Sequence, residues 1–242
     1  MRFIFLNLVL LPVILLVTGC DLRTYPDDYI DDDDNVSRTA DSVIITYAPT
    51  TVIGLDSLAI EIIAFTWRDG EPQPDLRACW RVRQQDEAGG YFVNPSVEST
   101  NNPPGRVSGL FVSDLSPSGH LWLIAEATAG YGGDSVSVML HKRPLLTLPP
   151  DTSMTDTTVD IVLSVSLRDD RLNPLAQQSL NFSVFPPYGS VTGLVQTNHN
   201  GEAEISFDAE GYSGSFIIDG WLLQFEHDVR DTMLVEVEET VP

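Results

Sequence analysis

A pattern of short β-type runs written twice, about 100 residues apart, limits what this chain can fold into more than any other feature. From residue 42 onward apolar and polar residues alternate in runs at 43–47, 62–67, 78–82, 121–125 and 136–140. A second set follows at 161–167, 180–185, 202–207, 215–218 and 233–237. Gly, Pro, Asn and Asp separate the runs, and no stretch has a helical period. Repeats with a long period are the first thing to look for. Here Pro49 matches Pro150, Trp67-Arg68-Asp69 matches Leu167-Arg168-Asp169, and Ala78, Trp80 and Val82 match Leu180, Phe182 and Val184. Gly105, Val107 and Phe111 match Gly201, Ala203 and Phe207, while Gly119, Leu121 and Leu123 match Gly214, Phe216 and Ile218.

About seven short strands per 100 residues predict an all-β chain of two tandem antiparallel sandwiches. The boundaries fall at residues 41–143 and 144–242, where Pro144 stiffens a short junction and predicts little bending. Because strand side chains alternate between faces, Ile63, Phe65, Trp67, Ala78, Trp80, Val82, Leu121, Leu123 and Ala125 should fill the first core. Leu163, Val165, Leu167, Leu180, Phe182, Val184, Phe216 and Ile218 should fill the second.

The second unit reads Val165-Ser166-Leu167-Arg168-Asp169, then Asn173-Pro174, then Leu180-Asn181-Phe182-Ser183-Val184. Thr197-Asn198-His199-Asn200-Gly201-Glu202-Ala203 follows. This resembles the bacterial Ig-like module of the invasin and intimin type, with its Asp after a strand, Asn-Pro turn, V-x-F-x-V strand and T-x-x-x-G-x-A turn. The first unit matches more loosely, keeping Asp69, Pro72 or Pro74, and Ala78, Trp80 and Val82. The resemblance implies Ig-like sandwiches of the kind that serve as rods or binding modules in adhesins. Its motifs are turn and core residues, which define a fold and no chemistry.

Ahead of these units stands an export segment. Arg2 precedes an apolar run over residues 3–17, shorter than the roughly 20 residues a spanning helix needs and interrupted by Pro12. Such a run fits a signal peptide. It ends in Val17-Thr18-Gly19-Cys20, which resembles the lipobox of bacterial lipoproteins: an aliphatic residue, two small residues and a cysteine. The resemblance implies a signal peptide over residues 1–19 and diacylglycerol with a fatty acyl group on Cys20. The protein would then sit in the cell envelope, held on a membrane by its lipid. Residues 20–40 form a tether in which Asp27, Asp28 and Asp31 to Asp34 repel one another and extend the chain. Asp21 resembles an inner-membrane retention signal in enteric bacteria. The acidic cluster resembles a surface-export signal in Bacteroidetes-like bacteria. Both addresses stay open, with the outer membrane or cell surface favoured. The Asp run lacks the spacing of an EF-hand loop.

The formal charge of −22, from 13 basic and 35 acidic residues, opposes nucleic-acid binding, which needs Lys and Arg against phosphate. His120, His141, His199 and His227 have no metal-ligand spacing. There is no Gly-x-Ser-x-Gly elbow and no phosphate loop, so no catalytic residue, cofactor or metal is expected. Asp69 and Asp169 are expected to bond turn amides. With Cys20 lipidated, Cys79 has no intrachain partner, and it shares a strand face with Arg77, Arg81 and Arg83. The arginines either activate the thiol, for redox chemistry or an intermolecular disulfide, or cover it with their stems as a small side chain, which is the favoured reading. The stripe could equally neutralise acidic neighbours across the sheet.

Trp122 and Ile124 fall on an outward face by the same alternation, Trp221 takes a related place in the second unit, and Phe225 continues its apolar stretch. Exposed tryptophans suit contact with protein or sugar, so these four residues form the candidate contact surface. Burial between the modules or under a loop is the competing reading. Two roles follow: adhesion or protein contact without catalysis, or a structural spacer in an envelope assembly.

Overall fold

The computed structural model describes residues 40–127, 132–155, 160–225 and 228–238. The signal peptide, Cys20, Asp21, the acidic tether and His227 therefore lie outside the described residues.

The first set of strands comprises β1 (Ser42–Tyr47), β2 (Thr51–Gly54), β3 (Ala59–Arg68), β4 (Glu71–Pro72) and β5 (Arg77–Gln84). It continues with β6 (Gly90–Phe92), β7 (Ser96–Glu98), β8 (Arg106–Ser113), β9 (Gly119–Ala127) and β10 (Gly133–Lys142). The second comprises β11 (Leu145–Thr147), β12 (Thr152–Met154), β13 (Ile161–Arg168), β14 (Ser179–Phe185), β15 (Ser190–Val191), β16 (Leu194–Gln196), β17 (Glu202–Asp208), β18 (Gly214–Leu222) and β19 (Arg230–Val237). The chain is all-β, in two Ig-like sandwiches.

Each module packs a sheet ordered β1-β3-β8-β6 against one ordered β2-β10-β9-β5-β7, and the second repeats this as β11-β13-β17-β15 against β12-β19-β18-β14-β16. Among the described strands the first module adds β4, a stub hairpinned onto β3. Even the unusual detours match. β2 and β12 run parallel to the last strand of their modules. After β5, and again after β14, the chain visits the opposite sheet and then returns. Strands at the sheet edges are short, which limits edge-to-edge pairing with other chains.

The turn glycines show why the repeat exists. Gly105 and Gly201 both have φ near +75° (80° and 71°), a conformation that disfavours a Cβ. A Cβ at Gly105 would meet the Thr66 carbonyl at 2.8 Å, and one at Gly201 the Leu167 carbonyl at 2.5 Å. Thr66 N–H donates to Gly105 O at 2.8 Å and Leu167 N–H to Gly201 O at 2.7 Å. Thr66, not Trp67, is thus the counterpart of Leu167.

That offset of one residue corrects the expected core. Ile60, Ile62, Ala64 and Thr66 point inward from β3, while Ile63, Phe65 and Trp67 face outward, half-buried. A one-residue slip reverses every side chain of a strand. Here both faces of β3 are apolar, so composition could not choose between them. Buried Thr66 is satisfied because its single hydroxyl proton has two carbonyl acceptors within reach, Gln73 O (2.9 Å) and Gly105 O (3.1 Å). Elsewhere the expected set is inside: Ala78, Trp80, Leu121, Leu123 and Ala125 in one core, Leu163, Val165, Leu167, Leu180, Phe182, Phe216 and Ile218 in the other. Val82 and Val184 are half-buried against their cores. Trp80 stacks on Phe92 at 5.3 Å, and Phe207 meets Phe216 edge-on at 5.2 Å.

Candidate contact site

The junction determines how the two modules present their surfaces. Three consecutive residues at its centre, His141, Lys142 and Arg143, each bond across a gap in the chain. Lys142 is wholly buried. Its ammonium donates to the carbonyls of Asp114 and Ser116, and its N–H donates to Ser118 Oγ at 2.7 Å. Burial pushes its pKa below the ordinary lysine value, against the pull of Asp114 and Asp170.

The turn after β13 closes over this site from the second module. Asp170 N–H donates to Lys142 O at 3.0 Å, Asp170 Oδ1 accepts from Ser118 N–H at 3.1 Å, and Arg171 pairs with Glu87. Asp169 is buried, and its carboxylate accepts from the amides of Arg171 and Asn173, from Asn173 Nδ2, and meets His141 Nδ1 at 2.8 Å. Burial raises the Asp169 pKa, but Asn173, His141 and the turn amides outweigh it and hold the carboxyl below its ordinary value. Ile53 and Leu55 of the first module pack on the core of the second. The Asp169 turn matches expectation. Asp69 does not: it sits at φ 54° in the tight β3–β4 hairpin, where its N–H donates to Asp41 Oδ2.

Beside the junction lies an open cleft of about 780 Å³ whose walls include Tyr47, Glu61, His141, Gln177, Gln178 and Gln224. Three of these side chains, Gln177, Gln178 and Gln224, are amides. Among the described residues, no three His, Cys, Asp or Glu side chains converge as a metal site.

The four candidate contact residues lie on two modules. Trp122 and Ile124 are half-buried on the outer face of β9. The Trp122 indole donates to Gln85 Oε1 at 3.2 Å, and Arg83 covers its ring at 5.5 Å. Trp221 is half-buried near the end of β18, with its Nε1 buried and without a hydrogen-bond partner. Phe225, in a 3₁₀ turn (Leu223–Phe225), packs against the second core. In register terms the counterpart of Trp122 is Ile217, not Trp221, because Trp80 faces Ala125 where Phe182 faces Gly220.

The arginine stripe neutralises its neighbours. Arg77 pairs with Glu98 at 3.3 Å and Arg81 with Glu126 at 3.0 Å. The expectation of an unpaired thiol is overturned: Cys79 is buried and its sulfur is not free.

Two surfaces stand out that strand alternation did not single out. The outer face of β1-β3-β8-β6 pairs Ile44 with Phe65, Ile63 with Ser108, and Tyr91 with Val112. At the same places the second module pairs Thr147 with Ser166, Ser164 with Glu204, and Ser190 with Asp208. The end of the second module opposite the junction exposes Phe185, Tyr188, Tyr212 and Ile217. A sequence signal did exist there: Phe185-Pro186-Pro187-Tyr188-Gly189 places aromatics in a turn, where no core face is available to them.

No family model matches this sequence, and no curated protein matches it. Among solved structures it is similar to the D0–D1 domain of intimin, at 14% identity over 83% of this chain and 99% of that one, with a TM-score of 0.36. It is also similar to the Escherichia coli adhesin FdeC, at 11% identity over 81% of this chain and 62% of that one, TM-score 0.45. The Yersinia pseudotuberculosis adhesin InvE gives 10% identity over 84% and 61%, TM-score 0.37. The likeness is one of fold.

Proposed function

We propose that this protein is a lipid-anchored contact protein of the bacterial cell envelope, which binds through its Ig-like modules and performs no catalysis. The observation that carries this reading is the bonded junction. It sets the modules head to tail, so that the exposed aromatic end of the second module stands opposite the end where residue 40 enters the first. A tethered chain built this way holds a contact surface away from its anchor. The lipobox-like Val17-Thr18-Gly19-Cys20 and the acidic tether support the anchor, with the outer membrane or cell surface as its place.

Protease shaving of intact cells with mass spectrometry of the released peptides tests this. Peptides from both modules should appear before lysis. Their appearance only after lysis would remove the surface-contact role and leave a periplasmic scaffold. The mass of the isolated protein tests the anchor separately. A thioether on Cys20 adds lipid mass to a chain that begins at that residue, whereas an intact leader with an unmodified Cys20 would overturn lipidation.

The second reading, a spacer within an envelope assembly, is favoured by the apolar outer face of the first module. It predicts crosslinks to neighbouring subunits from a photoreactive residue at Leu110 and none from one at Tyr188.

A further inference from the structure

At the outer end of the second module, Phe185 is 68% exposed, Tyr188 53%, Tyr212 52% and Ile217 45%. They converge from separate segments. Phe185 and Ile217 are direct cross-strand partners in β14–β18, Tyr188 lies in the turn into β15, and Tyr212 lies between β17 and β18. The two tyrosine rings are 5.2 Å apart, tilted by 39°. In the first module the matching turn, between β8 and β9, is the one that takes Lys142 and receives Asp170 from the next module. In the second module this turn carries the exposed Tyr212 instead.

Charge at this end has one sign. From residue 144 to 242 the sequence holds 16 acidic and 3 basic residues. The three are Arg168, Arg171 and Arg230, all at the junction end and all engaged: with Leu172 O, with Glu87 and with Asp219. Asp208 and Glu210 stand in the same turn as Tyr212, with the Glu210 N–H donating to Asp208 Oδ1 at 2.6 Å.

We propose that this end docks a protein surface that is both apolar and cationic, placing lysine or arginine side chains over the tyrosine rings and against Asp208 and Glu210. A second copy of this chain is disfavoured as the occupant because its own outer end is acidic as well. The inference deepens the contact role proposed above and rests on it.

The test immobilises the full chain and measures binding of an amphipathic Lys–Leu peptide and its Glu–Leu counterpart. The Lys–Leu peptide should bind, more weakly as salt rises, and the Glu–Leu peptide should not. The double variant Tyr188→Ser/Tyr212→Ser should weaken binding about tenfold. Its unfolding midpoint should stay close to the original, because both side chains are exposed. Glu210→Gln should reduce the salt dependence, and Phe65→Ser/Leu110→Ser on the first module should change nothing. Equal binding by the tyrosine variant, or preference for the Glu–Leu peptide, would overturn the inference. Loss only in the Phe65→Ser/Leu110→Ser variant would also overturn it while leaving the contact role standing. Concentration-dependent dimers abolished by the tyrosine changes would overturn it in favour of self-association.

Discussion

Asp169 is surrounded by donors although it is buried. Two turn amides, the Asn173 side chain and His141 all stabilise its charged form. Its folded-state pKa therefore lies below the ordinary value of 3.8, and the unfolded chain binds the proton more tightly. Stability from this group is present above pH 3.8 and is lost as pH falls through the folded value. Asp169→Asn should cost about 1–3 kcal/mol at neutral pH, the usual effect of a broken buried bond. In urea titrations the variant should also show a shallower acid limb than the parent. Lys142 makes the opposite case, since burial disfavours its charge. Removing it still harms the fold: Lys142→Met leaves the Asp114 and Ser116 carbonyls without their donor and should destabilise by about 1–3 kcal/mol.

At the level of the element, β3 shows the ambiguity of a strand with two apolar faces. The observed register makes a differential prediction. Ile62→Ala should cost about 2–5 kcal/mol, as for a buried aliphatic side chain, whereas Ile63→Ala on the outer face should cost well under half of that. Equal effects in denaturant melts would contradict the register. The turn leading into β17 makes another prediction. Gly201→Ala combines a positive φ with a backbone oxygen 2.5 Å from the new Cβ, and should destabilise by about 1–3 kcal/mol.

For the whole molecule, the junction decides whether two sandwiches behave as one rod. Apart from the exposed Arg171–Glu87 pair its bonds are backbone or at least part-buried, so Arg171→Ala should change stability by less than about 1 kcal/mol. Disrupting Asp169 and Asp170 together should instead loosen the pair. Small-angle scattering should show one extended, head-to-tail shape for the parent and a broadened distance distribution for that double variant. A compact, folded-over parent would contradict the arrangement.

Alternation and the twofold repeat determined the fold class, the core of most strands and the Asp169 turn, because side-chain direction in a strand is a local property with a period of two. Such local rules stop where two faces are equally apolar, as in β3. They also stop where a residue serves another element, as Lys142 serves the turn after β8. The burial of Cys79, the half-burial of Trp122 under Arg83, and the exposed meeting of Phe185, Tyr188, Tyr212 and Ile217 depend on segments brought together from across the chain. Only the tertiary structure could decide them, because long-range packing, not sequence spacing, fixes which side chains find a neighbour and which are left facing water.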